Sequence, residues 1–162
     1  MALLIVTRRM GRRHTRDGVV LGAAVGFGFA ASESAGYAFE VLISSGGSLL
    51  AMVQTELLRG ALAPLGHGLW TAILGGVVFR RINRVHGETL RHAPARFGDA
   101  CGLSVVAAYL GVAVLHALWD SMARSVLVLQ VQLVGLAVVS LVGLGGLTAV
   151  WVRGRREPVP LR

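Results

Sequence analysis

Residues 18–43 read GVVLGAAVGFGFAASESAGYAFEVLI and follow directly on the basic run RRMGRRHTRD at residues 8–17. The apolar stretch is 26 residues long, and a helix rising 1.5 Å per residue needs only ~20 to cross a bilayer. Its only acidic members are Glu33 and Glu40. Arginines stacked against one end of such a stretch mark the cytoplasmic end of a membrane-spanning helix. A helix in lipid is therefore the unit from which the fold is built.

The rest of the chain repeats that unit. All 16 basic residues are arginine. Five (Arg8, Arg9, Arg12, Arg13, Arg16) precede the first stretch, five (Arg80, Arg81, Arg84, Arg91, Arg96) fall within 80–98, and four (Arg153, Arg155, Arg156, Arg162) close the chain. Further apolar segments lie between them at 61–79, 100–119 and 126–152. With every cluster inside, segment 18–43 runs outward, 61–79 returns, 100–119 runs outward and 126–152 returns. The outer connections, 44–60 and 120–125, then hold only Arg59 and Arg124. The expected fold is all-α: a polytopic membrane helix bundle with four complete transmembrane helices and both termini cytoplasmic. Lysine-free, Ala/Gly/Val/Arg-rich usage suggests a GC-rich bacterial genome, and the expected location is the plasma membrane.

Composition agrees. Apolar residues make up 54% of the chain and charged residues 15%, against roughly 25% charged in a soluble domain. The mean hydropathy is +0.68, more apolar surface than a 17 kDa globule can hide. Disorder needs the opposite balance, and Cys101 has no second cysteine to form a disulfide. The net charge of +8 might suggest nucleic acid. The basic runs, however, carry almost no aromatics to stack on bases, and they flank hydrophobic segments, so no nucleic-acid partner is expected.

Three domains are expected: residues 1–17 as a helix end and cytoplasmic basic loop, 18–152 as the membrane-embedded domain, and 153–162 as a basic tail. As helix, the first seven residues cover only ~10 Å of a ~30 Å hydrocarbon core. Ala2–Val6 is thus either a frayed interfacial terminus or the stump of a transmembrane helix that begins upstream. Leu49–Arg59 has the pattern of an amphipathic helix on the outer face, ending at Pro64. Val85–Phe97 is expected to be a polar loop with His86 and His92 solvated. Trp70 and Trp119 are expected in the interfacial aromatic belt.

Ionisable groups at bilayer depth are costly and usually mark function or an internal pair. Glu33 lies about fifteen residues into the first span and must be neutral, paired or metal-bound; the plain alternative is a buried acid bonded to a neighbouring helix. His67 opens the second span, followed on the same face by Thr71 and Gly75, small residues that let another helix approach; an interfacial histidine is its alternative. His116 and Asp120, four apart, share a helix face. They either bind one metal together, or Asp120 orients the imidazole from behind, or they form a structural bond capping the outer end of span three. Arg59 either pairs with an acidic neighbour, with Glu56 as the local choice, or engages substrate. Taken together, two histidines and a carboxylate, with a fourth position left to water, form the ligand set of a catalytic zinc site. Such an ion lowers the pKa of its water toward ~7 and polarises a carbonyl. Glu33, His67, His116 and Asp120 are the candidate catalytic and metal-ligating residues, with Zn²⁺ the expected cofactor.

These residues resemble the PrsW family of intramembrane proteases, related to the CAAX prenyl proteases and to the multi-spanning scaffold subunit of gamma-secretase. The family's Phe-x-x-x-Glu is matched by Phe29 and Glu33, and its His-x-x-x-Asp by His116 and Asp120. Its intervening arginine, histidine, threonine and glycine resemble Arg59, His67, Thr71 and Gly75. The resemblance covers about residues 1–120. It implies hydrolysis of peptide bonds in a membrane protein substrate within the lipid bilayer. It also implies a Glu-Glu-x-x-Lys motif, whose glutamate would activate water, in the helix before the arginine-rich loop. No such motif occurs in these 162 residues, and the expected place for it is upstream of Met1, the chain being N-terminally truncated. Two competitors follow: an inactive truncated homologue that binds membrane partners as a scaffold, and a small transporter using Glu33, His67 and His116 as a relay. The absence of inverted repeats or paired broken helices counts against the transporter.

Overall fold

The computed structural model describes residues 14–86, 97–124 and 129–155. Ala2–Thr7, where the end of a cut helix was expected, His92, Arg91 and Arg96, and the end of the basic tail lie outside the described residues. Among the described residues every regular element is helical. Helix α1 spans Thr15–Ser44, α2 Leu49–Leu62, α3 His67–His86, α4 Phe97–Ala100, α5 Leu103–Arg124 and α6 Leu129–Arg155. A 3₁₀ turn at Ala63–Leu65 joins α2 to α3. Four segments are long and apolar enough to cross a membrane: Thr15–Ser44, Leu49–His86, Leu103–Ser121 and Leu133–Arg155.

Local sequence chemistry sets the ends of these helices. Ahead of α1, His14 Nδ1 accepts from the Arg16 amide (3.3 Å), and Asp17 Oδ2 accepts from the His14 amide (2.9 Å). The Asp17 carboxylate also sits where the helix dipole favours negative charge. α1 stops at Gly46 and Gly47, whose φ values of 67° and 94° suit residues without a Cβ. The Gly47 amide donates to the Leu42 carbonyl at 2.8 Å. Ser48 Oγ then accepts from the Ala51 amide at 3.3 Å and opens α2.

The second span starts later than the expected 61–79. Pro64 lacks an amide proton and disfavours helix at the residue before it. The chain therefore bends through the 3₁₀ turn, and α3 begins at His67. It continues through Arg80, Arg81 and Arg84 to His86, since arginine is a good helix former and its charge suits a helix C-terminus. His86 is accordingly not a solvated loop residue. It is 8% exposed, and its Nε2 lies 2.8 Å from Asp99 Oδ2 on α4, which ties the short helix to the end of α3.

Helix α3 is the centre of the bundle, packed against α1, α4, α5 and α6. Phe79 and Ile82 are completely buried at its C-terminal half, and Trp70 is 1% exposed near its start. At the other end of the molecule, the Arg16 guanidinium lies 5.0 Å over the Trp151 ring and joins the start of α1 to the end of α6. The outward faces are apolar: Phe39 and Ile43 on α1, Leu103 and Leu110 on α5 and Leu141 on α6 are all exposed. Such continuous apolar exposure suits hydrocarbon rather than water.

Candidate metal centre

Gly18, Gly22, Gly26 and Ala30 recur every fourth residue along α1 and are all buried. A Cβ at Gly18 would collide with the Gly75 carbonyl, at Gly22 with the Thr71 carbonyl, and at Gly26 with the His67 carbonyl. Only glycine permits so close an approach of two backbones. The run Gly75, Thr71, His67 is the complementary stripe on α3, read in the opposite direction. Registering Gly26 against His67 brings Glu33, two turns further along α1, beside the His67 ring.

Glu33 Oε2 lies 3.7 Å from His67 Nε2. The His67 and His116 rings meet edge to face, with centroids 4.7 Å apart. Each of Glu33, His67 and His116 offers a ligand atom within 4.8 Å of the other two. Around a tetrahedral ion with bonds of ~2.0–2.1 Å, ligand atoms stand ~3.3 Å apart, so small side-chain rotations close the gap. His67 Nε2 is buried and has no hydrogen-bond partner among the described residues. Leaving a buried imidazole nitrogen unpaired costs about 1–3 kcal/mol, and ligation removes that cost. The donor set and the unpaired nitrogen fit a divalent cation.

The fourth expected residue, Asp120, stands behind His116: its Oδ2 is 3.4 Å from His116 Nε2. Among the described residues it does not belong to the three-residue group. Arg59 reaches across from α2, not to Glu56 but to Glu33, with Nη2 2.6 Å from Oε2. Its Nε donates to Ser34 Oγ at 3.1 Å, and its guanidinium lies 3.9 Å over the Tyr37 ring. These contacts fix the orientation of the Glu33 carboxylate and offset its charge. A cavity of about 270 Å³ opens beside it, lined by Glu33, Arg59, His67, Trp119 and Asp120 among others.

Trp70 departs from its expected place in an interfacial belt. It is buried, with its ring 5.7 Å from His67, 5.2 Å from His116 and 5.7 Å from Trp119. It forms the apolar wall against which both imidazoles rest, and Phe29 closes the far side of His67 at 5.1 Å. Hydropathy alone does not separate a belt tryptophan from a buried one. The spacing from His67 to Trp70, i to i+3, did place the two rings on one helix face. Ser34 and Tyr37 were also not singled out, although Tyr37 lies one turn from Glu33 on the same helix face.

The profile of the PrsW family intramembrane metalloprotease matches residues 1–144, extending the resemblance past Asp120 into α6. No curated protein and no solved structure shows a significant match to the chain. With the match covering most of its length and the Glu/His/His group assembled between three helices, the chain belongs to the PrsW family, a family of membrane-embedded proteases.

Proposed function

We propose that this protein is an intramembrane metalloprotease that hydrolyses peptide bonds of membrane protein substrates. Glu33, His67 and His116 hold a divalent cation, with zinc the best fit to two imidazoles and one carboxylate. A bound cation of this kind supplies Lewis acidity, polarising a carbonyl and acidifying water. The chain's own residues do the rest. Asp120 Oδ2, 3.4 Å from His116 Nε2, would accept a hydrogen bond from Nε2–H and so leave Nδ1 of that ring to face the cation. Arg59, whose Nε donates to Ser34 Oγ, holds the Glu33 carboxylate beside His67. Trp70 and Phe29 pack against the imidazoles and give them an apolar wall. The cavity beside Glu33 and Arg59, open between α1, α2 and α5, is the place for the substrate backbone.

The observation that carries this reading is the convergence of three ligand atoms from three helices on one point, with the His67 nitrogen unpaired. One feature favours a second reading, a partner-binding homologue without hydrolysis: no Glu-Glu-x-x-Lys occurs in the 162 residues to provide a general base. Loss of such a base typically costs ~10²–10⁴ in rate.

The two readings separate in one experiment. The chain is purified in detergent, its metal is quantified, and fluorescent single-span peptides are offered with and without a chelator. About one zinc per chain, with cleavage abolished by the chelator and by Glu33→Gln or His67→Ala, is the expected result. Stoichiometric zinc without cleavage would support the partner-binding homologue. Cleavage that persists in the chelator and in both variants would overturn the site.

A further inference from the structure

A second cavity lies at the opposite end of the bundle. It has a volume of about 440 Å³, and its polar lining is Arg80, Arg81, Arg84, Ser104 and Arg153. These come from three elements: the last turns of α3 and α6 and the first turn of α5. The floor is apolar, with Val77 and Val150 beneath the arginines. Among the described residues no acidic side chain lines it.

Membrane topology asks for arginines in this band, but it does not ask for four of them to face one cavity. Part of their charge offsets the C-terminal ends of α3 and α6. That effect falls off within a turn and is shared among exposed side chains, so it does not account for Ser104 or for the opening between helices. The first turn of α5 adds its own amides: Val105 and Val106 donate back to Gly102, which leaves the preceding amides directed out of the helix start. A positive ring above an apolar floor matches a ligand with an anionic head and an apolar tail.

We propose that the cavity between α3, α5 and α6 binds the phosphate of an anionic ligand, with Arg80, Arg81, Arg84 and Arg153 around it and Ser104 as a hydroxyl donor. The floor of Val77 and Val150 marks a phospholipid as the source. Arginine clusters between membrane helices at a basic face are suited to this chemistry.

Native mass spectrometry of the full chain released from detergent micelles tests it, with phosphatidylglycerol and phosphatidylcholine supplied in equal amounts. Phosphatidylglycerol is expected to be retained at least about tenfold over phosphatidylcholine. Arg84→Gln with Arg153→Gln should weaken that retention about thirtyfold, two arginine contacts' worth. Arg155→Gln, one residue pair away on the same exposed turn but outside the cavity, should leave it unchanged. A parallel arm supplies millimolar inorganic phosphate alone: binding there, lost in the double variant, with no lipid retained, would identify a soluble phosphate compound as the source. Equal retention of both lipids by the wild-type chain with no phosphate binding would overturn the proposal. So would undiminished retention in a folded double variant. The lipid comparison on the wild-type chain needs no variant to fold.

Discussion

Asp120 stands beside the His116 ring alone, whereas Trp70 packs against both His67 and His116. Asp120 Oδ2 lies 3.4 Å from His116 Nε2, the position from which a carboxylate orients an imidazole ring. Groups in this supporting role typically cost 10–100-fold in metal affinity when removed. Asp120→Asn should therefore weaken zinc binding by ~10–100-fold, whereas His116→Ala should abolish stoichiometric binding; competition against a chromogenic chelator separates the two. An equal loss in both variants would make Asp120 a ligand instead. Trp70 offers an independent probe, because its ring lies within 6 Å of both histidine rings. A paramagnetic ion such as Co²⁺ in the site should quench the fluorescence of Trp70 and of its neighbour Trp119. Trp151, packed against Arg16 at the other end of the bundle, should be spared. The quenching should disappear in Trp70→Phe with Trp119→Phe and survive in Trp151→Phe. Quenching carried by Trp151 would place the ion elsewhere.

Helix α1 carries two superposed patterns, and only one of them was easy to read. The acid at Glu33 stands out against an apolar background, and so do His67 and His116. Four spans were legible from hydropathy and from the arginine bands, with boundaries good to a few residues except in the second, where Pro64 delays the helix to His67 and it runs on to His86. The α3 stripe of His67, Thr71 and Gly75 was legible as a surface for close helix approach, but its partner Gly18, Gly22, Gly26 on α1 was not. Which face of α1 meets which face of α3 depends on tertiary packing, and glycines are common throughout the chain. The His86–Asp99 contact was hidden for a similar reason: the helix outran the polar composition that suggested a loop. The glycine stripe makes a measurable claim. A Cβ at Gly22 would run into the Thr71 carbonyl and lie 3.0 Å from Ala72 Cα, whereas one at Gly28 would meet nothing within 4 Å. Gly22→Leu should destabilise the bundle by at least ~2 kcal/mol through overpacking against backbone. Gly28→Ala should be neutral or stabilising by up to ~1 kcal/mol, as a helix interior gains from losing a glycine. Unfolding in rising SDS, followed by helical circular dichroism, reads both. Similar midpoints for the two variants would mean that α1 and α3 are not in close backbone contact. Because the same stripe sets Glu33 beside His67, Gly22→Leu should also lower zinc occupancy before the helices themselves melt.

The molecule as a whole is polar along its helix axes. His67 precedes Arg80 by thirteen residues, or ~20 Å of helix, and Glu33 follows Arg16 by seventeen, or ~25 Å. The Glu33/His67/His116 group and the arginine-lined cavity therefore occupy opposite ends of one bundle. In a ~30 Å hydrocarbon core with arginines at the cytoplasmic boundary, the Glu/His/His group falls in the outer third. A single native cysteine makes this orientation testable. Cys101 is exposed beside the arginine band, and Ser45 is exposed in the turn that ends α1 at the other end. A membrane-impermeant maleimide applied to intact cells should label Ser45→Cys in a Cys101→Ser background and leave native Cys101 unlabelled. Inverted vesicles should give the reverse. The opposite pattern would turn the protein over and set the site in the cytoplasmic third, while labelling of both from one side would contradict a span between them. With the expected orientation, a substrate has to present its scissile bond near the outer boundary of its own membrane segment. Moving a cleavable sequence inward along a single-span test peptide, by one helical turn (~5.4 Å) at a time, should then reduce cleavage progressively.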